Sequence, residues 1–153
     1  MLVGAALEPF EDPNEFLACS AFHGGLLVRF HGRAAALVCA GLAKSGGLGK
    51  PRREGGYDNH DPRAWLAQQK GRHARANAAQ ANSFEGLPFF IGAVVIAHQL
   101  GAPQGWLDWM ALGYVVCRVA FIALYVADKA TARSLVWTVG LLLNIGILLL
   151  GWH

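Results

Sequence analysis

The stretch LVWTVGLLLNIGILLLGW, residues 135–152, decides the fold class, because its 18 residues include no charged side chain. A helix rises about 1.5 Å per residue and the hydrocarbon core of a bilayer is about 30 Å thick, so this stretch is just long enough to span a membrane. Asn144 is its only strongly polar interior residue, and Trp137 and Trp152 lie near its ends, where indoles favour the headgroup level. The stretch therefore predicts a transmembrane helix.

Two further apolar stretches lie upstream of this one. Residues 109–127 contain one charge, Arg118, at their midpoint, and residues 84–100 contain one charge, Glu85, near their start. An Ala-rich run before Glu85 extends the helix predicted over residues 84–100 towards the N-terminus. The three predicted helices cover residues 74–100, 106–127 and 133–152.

A fourth, most N-terminal helix is predicted over residues 26–43, although only residues 34–43 are continuously apolar. Arg29 and Arg33 lie in its first half, and each would cost about 2.5–3.5 kcal/mol at the bilayer centre. The chain is thus predicted to be an all-α integral membrane four-helix bundle over residues 26–153. Three spans remain the alternative, and residues 1–25 are predicted to form a separate N-terminal segment whose acidic start does not fit a secretory signal.

Composition and charge exclude several classes of protein. The 153 residues fit one domain, and 54% hydrophobic with only 15% charged residues, against about 25% in soluble domains, excludes a largely disordered chain. Eight of the 13 basic residues lie in the segment 44–75. The positive-inside bias explains them without a nucleic-acid partner and predicts that the loop 44–73 and the link 128–133 are cytoplasmic. The histidines show no metal-ligand spacing, so no metal site is expected.

Polar side chains inside the predicted spans are costly and therefore informative. At about 100° per residue, Arg75, Asn82 and Glu85 share one face of their helix, and Arg118 and Tyr125 share one face of the next. We expect these faces to form one cavity, open towards the cytoplasm, in which arginines hold carboxylates and Glu85 holds an ammonium group. The alternative is that these polar side chains have a structural role, in which Arg118 and Glu85 form an ion pair between the two helices.

Three stretches resemble the MAPEG family (membrane-associated proteins in eicosanoid and glutathione metabolism): YDNHDPR at 57–63, RANAAQANSFEGLP at 75–88 and RVAFIALYVADKATARSLVW at 118–137. The pattern is similar to the bacterial branch of that family more than to its eukaryotic enzymes. The resemblance implies a homotrimer in the bacterial inner membrane that binds glutathione between subunits as a co-substrate. It also implies transferase or peroxidase activity on small lipophilic electrophiles.

Carried over by position, the resemblance implies that glutathione contacts Arg75, Gln80, Asn82, Glu85, Arg118 and Tyr125. The family's thiolate-stabilising arginine falls at or beside Ala132, so the adjacent Arg133 is the candidate catalytic residue. A nearby guanidinium favours the thiolate of glutathione, whose thiol pKa is about 8.5. The chain departs from the glutathione enzymes at Ala78, where they carry arginine, and at Phe121, where they carry tyrosine.

These departures motivate an alternative function, a non-enzymatic membrane scaffold or regulator that retains the bundle. A small transporter is a third hypothesis, motivated by Arg118 at mid-membrane. The chain is short for the repeated architecture that transporters favour.

Overall fold

The computed structural model describes residues 35–152, and all regular structure in that range is helical. A π-helical turn, Ala35–Cys39, leads into α1 (Ala40–Lys44). Short 3-10 turns and α2 (Pro62–Ala67) occupy the following loop. Three long helices complete the described chain: α3 (Gly71–Gln99), α4 (Gln104–Val126) and α5 (Ala130–Leu149). The predicted all-α fold class is confirmed.

The helices α3, α4 and α5 are long and apolar enough to cross a membrane, with 29, 23 and 20 residues. The chain is therefore an integral membrane protein. The three helices begin two or three residues before the predicted positions 74, 106 and 133, because the residues added at their starts are small or polar and carry no strong apolar signal. Residues 1–25 and 26–34, which include half of the predicted fourth helix, lie outside the described residues, so the count of four spans stays a prediction.

Two clusters of buried side chains hold the long helices together. The larger cluster is centred on Phe90 of α3, Tyr114 of α4 and Ile147 of α5, all at most 3% exposed. The smaller one includes Ala79 of α3 and Phe121 of α4 and packs against Cys39. Small residues on α3 let the helix backbones approach closely, as is common in membrane bundles. Between the two clusters, the middle turns of α3 and α4 are left free to line a crevice.

The loop between α1 and α3 is folded around Trp65 of α2, whose side chain is 7% exposed. Its indole Nε1 donates to the carbonyl of Gly55 at 3.2 Å, and its ring meets the Tyr57 ring edge-on, with centroids 5.2 Å apart. Gly47 passes so close to the indole that a Cβ there would lie 2.5 Å from the ring. The predicted loop 44–73 is therefore an ordered cap on one end of the bundle.

One ion pair fixes the outer edge of this cap. The Arg52 guanidinium contacts Asp58 Oδ2 at 2.6 Å, and the backbone N–H of His60 donates to Asp58 Oδ1 at 2.9 Å. The N–H of His60, followed by Arg52, lowers the pKa of the Asp58 carboxyl from its ordinary value. Both contacts stabilise the ionised form of this side chain.

Candidate functional site: a polar crevice between α3, α4 and α5

A crevice of about 230 Å³ lies between the three long helices. Its walls combine a carboxylate, a guanidinium, two carboxamides and a phenol with aromatic and small apolar residues. The lining residues are Asn82, Glu85, Gly86, Phe89, Tyr114, Arg118, Trp137, Gly140, Leu141 and Asn144. Such a mixture, inside segments that cross a membrane, is suited to a small polar ligand rather than to lipid.

Arg118 is the buried charge of this crevice, at only 4% exposed. Its Nη2 donates to Asn82 Oδ1 at 2.9 Å and to Ser83 Oγ at 3.3 Å. Its guanidinium also lies over the Phe121 ring, 4.6 Å from the centroid. The α3 residues that hold Arg118 are thus neutral acceptors, which orient the guanidinium without neutralising it.

Among residues 35–152, no carboxylate forms an ion pair with this cation. The two ion pairs among residues 35–152 join Arg52 to Asp58 and Arg75 to Asp128. Glu85 lines the same crevice but its side chain is exposed and forms no ion pair with Arg118 in the described protomer. The structural alternative, an Arg118–Glu85 pair, is therefore not formed here, and a buried cation is left for an anion to pair with.

The crevice brings together three of the residues singled out from the sequence: Asn82 and Glu85 of α3 and Arg118 of α4. The two predicted faces meet in one cavity at these three residues, whereas Arg75 and Tyr125, which we expected in the same cavity, do not line it. That they contact glutathione stays a prediction.

The other candidate residues lie outside the crevice of one protomer. Arg75 donates from Nε to the carbonyl of Val126 at 3.2 Å and contacts Asp128 at 3.3 Å, which joins the start of α3 to the end of α4. The Arg133 guanidinium lies over the Tyr125 ring, 4.2 Å from its centroid. Gln80 does not line the crevice. If these four residues contact a ligand, as the resemblance implies, they do so at another surface.

The other seven lining residues were not among the predicted site residues, and three of them, Asn144, Tyr114 and Gly86, shape the polar part of the crevice. Asn144 of α5 is 2% exposed and its Oδ1 has no hydrogen-bond partner. Tyr114 stacks on Phe90, with centroids 4.3 Å apart, and its hydroxyl donates to the carbonyl of Gly86 at 3.4 Å. A Cβ on Gly86 would lie 3.2 Å from that hydroxyl, so the absence of a side chain at residue 86 leaves room for the phenol. The signal for Asn144 was its position as the one strongly polar residue inside an uncharged span.

The chemistry of the crevice is that of anion binding beside a carboxylate. Arg118 supplies a permanent positive charge in a poorly solvated place, where its attraction for an anion is stronger than in water. Glu85 at the opening suits an ammonium group. Within residues 35–152, no three His, Cys, Asp or Glu side chains lie close enough to hold a metal ion.

Comparison with known proteins agrees with the fold and the sequence motifs. The model of one family, the MAPEG family, matches residues 31–152. No curated protein and no solved structure matches the chain. Because the matched segment includes the three long helices, the loop before them and the whole crevice, the chain belongs to the MAPEG family.

Proposed function

We propose that this protein binds glutathione in the crevice and uses its thiolate in transferase or peroxidase chemistry on lipophilic electrophiles. The observation that carries the proposal is the buried Arg118 guanidinium, which lines a crevice and has no carboxylate partner among the described residues. Glutathione carries two carboxylates, one ammonium group and one thiol. Arg118 matches a carboxylate or the thiolate, and Glu85 matches the ammonium group.

The chemical step starts from the thiol of glutathione. Its proton leaves to solvent, and the sulfur electron pair then forms a bond to an electrophilic carbon, displacing a leaving group where there is one. With a hydroperoxide, sulfur attacks the O–O bond, which releases an alcohol, and a second glutathione yields the disulfide and water. Lowering the thiol pKa by two units requires about 2.7 kcal/mol, which one partly desolvated guanidinium can supply.

We further propose that the protein is a homotrimer of the bacterial inner membrane, with the loop 44–73 in the cytoplasm. Glu85 lies within a spanning helix and is exposed on the single protomer, where facing lipid is costly. A neighbouring subunit covering this side would shield it and close the crevice. Gln80, Tyr125 and Arg133, which lie outside the crevice of one protomer, are the residues that such a boundary would bring to the ligand.

The test is isothermal calorimetry of glutathione binding to the detergent-purified protein. Arg118→Ala removes the charge-assisted bonds to the ligand, so we expect a loss of about 10- to 150-fold in affinity. Arg63→Ala is the matched control, because Arg63 is an exposed arginine of α2 that does not line the crevice, and it should bind like the wild type. Absence of binding at millimolar glutathione, or an unchanged affinity in Arg118→Ala, would overturn the proposal.

The alternative function is a non-enzymatic scaffold or regulator. It is favoured by one contact: the Phe121 ring lies directly under the Arg118 guanidinium, so this place carries no hydroxyl. The two functions are separated by conjugation of glutathione to a general electrophile in detergent. Turnover that is lost in Arg118→Ala argues against the alternative, whereas glutathione binding without turnover supports it.

A further inference from the structure

Two of the residues that line the crevice each have a buried polar atom without a hydrogen-bond partner. Among the described residues, the buried side-chain atoms without a hydrogen-bond partner are Arg118 Nε and Asn144 Oδ1, and both residues line this one cavity. One atom is a donor and the other is an acceptor. They belong to different helices, Arg118 to α4 and Asn144 to α5.

In the absence of a ligand, these two unpaired atoms lower the stability of the protein. A buried donor or acceptor without a partner costs about 1–3 kcal/mol. Asparagine inside a span ordinarily contributes by bonding to a neighbouring helix, and Asn144 Oδ1 makes no such bond. The cost is recovered when a group that offers both a donor and an acceptor pairs with the two atoms.

We propose that Arg118 Nε and Asn144 Oδ1 form a subsite for a neutral amide group of the ligand, with Asn144 as a specificity-determining residue. The ligand carbonyl accepts from Arg118 Nε, and the ligand amide N–H donates to Asn144 Oδ1. The proposal deepens the proposed function, on which its glutathione arm rests, because glutathione is a peptide with two amide groups.

The chemistry of the two atoms favours an amide over a carboxylate or an ammonium group. A carboxylate offers acceptors only and leaves Asn144 Oδ1 unpaired. An ammonium group offers donors only and is repelled by the guanidinium. An amide is neutral and carries its acceptor and its donor on separate atoms of one rigid plane, so it can bridge two helices.

The experiment compares two small anions that differ in one group. N-acetylglycine has an amide N–H, and acetoxyacetate has an ester oxygen in its place. Binding of both, and of glutathione, is measured by calorimetry for the wild type, Asn144→Leu and Thr138→Val. Thr138→Val is the matched control, since Thr138 is an exposed polar residue of α5 that does not line the crevice.

We expect the wild type to prefer the amide over the ester by about three- to tenfold, the value of one buried hydrogen bond. Asn144→Leu should lose that preference and bind glutathione about three- to tenfold more weakly, while Thr138→Val should keep both properties. Equal affinities of wild type and Asn144→Leu for glutathione would overturn the subsite and leave the proposed function standing. If N-acetylglycine binds with an Asn144-dependent preference over acetoxyacetate but glutathione does not bind, the proposed function is overturned and the subsite stands. If neither N-acetylglycine nor glutathione binds, both proposals are overturned.

A second readout separates ligand recognition from a structural role. Asn144→Leu removes an unpaired buried acceptor, so the thermal midpoint of the ligand-free protein in detergent should be equal to or higher than that of the wild type. A clearly lower midpoint would mean that Asn144 holds the helices together, and the subsite would be wrong.

Discussion

The contact between Asn82 and Arg118 gives the sharpest test of how the crevice is built. Arg118 is 4% exposed, and its Nη2 donates to Asn82 Oδ1 at 2.9 Å. Hydrogen bonds to charged groups contribute about 1.5–3 kcal/mol in proteins, whereas cycles on bonds between membrane helices average about 0.6 and reach about 1.7 kcal/mol. Since this guanidinium is almost fully shielded from water, we expect a value near the upper membrane limit, about 1.5 kcal/mol.

The perturbation is a double-mutant cycle of Asn82→Ala and Arg118→Met. The two single substitutions should lower the free energy of unfolding by different amounts. Asn82→Ala leaves a buried cation with only the longer bond to Ser83 at 3.3 Å, so it should be strongly destabilising. Arg118→Met removes the charge together with its desolvation cost, so it should be milder. The coupling energy between the two substitutions should be about 1.5 kcal/mol.

The assay is reversible unfolding in mixed micelles with increasing dodecyl sulfate, followed by the fluorescence of the five tryptophans. Asn77→Ala combined with Arg118→Met is the matched control, because Asn77 lies on α3 but does not line the crevice. The control pair should be additive within about 0.5 kcal/mol. Additivity of the Asn82 pair within the same margin would refute the view that α3 holds the guanidinium in place.

Two other perturbations test the packing and the cap. A Cβ at Gly146 would lie 2.5 Å from the terminal methyl of Met110, which can swing away, so Gly146→Ala should cost less than about 1 kcal/mol of unfolding free energy. At Gly151 it would lie 2.6 Å from the Cβ of Leu100, which cannot, so Gly151→Ala should cost about 1–3 kcal/mol, and the reverse order would be contradictory. Because the pKa of Asp58 is lowered in the fold, its stabilising contribution is present above the ordinary Asp pKa of about 3.9 and is lost as pH falls through the lower folded value. Carbon-detected titration of the Asp58 carboxyl should show this, and a midpoint at or above 3.9 would contradict it.

The three long helices could be predicted because a membrane span is defined by a property that sequence shows directly, a run of about 20 residues almost free of charge. Their first residues could not, since α3 begins with Gly71, Arg72 and His73, whose polarity resembles the loop before them. The ordered structure of the loop between α1 and α3 could not be predicted from the sequence either. It depends on a close approach of Gly47 to Trp65, a contact between positions that no local pattern joins.

The site was predictable only in part, for geometric reasons. Asn82 and Glu85 are less than one turn apart on one face, so they reach the same crevice, whereas Arg75 is seven residues before Asn82 and about 10 Å further along the helix axis. There it meets the carbonyl end of α4, which attracts a cation. Asn144 was visible as a polar residue but could not be assigned to the site, because α5 is apolar on all sides and its sequence does not fix which face turns inward.

The way in which Arg118 is held bears on whether its charge is structural or functional. A carboxylate partner would neutralise the guanidinium and occupy its donors, as happens in ion pairs that only join helices. Here α3 offers an amide oxygen and a hydroxyl instead, and Phe121 offers the face of its ring. These partners orient the guanidinium, but they do not neutralise its charge, and its Nε–H has no hydrogen-bond partner. Replacing buried charged groups by apolar residues is often neutral or stabilising, so joining α3 and α4 does not by itself require this guanidinium, and the arrangement supports the anionic ligand that we propose.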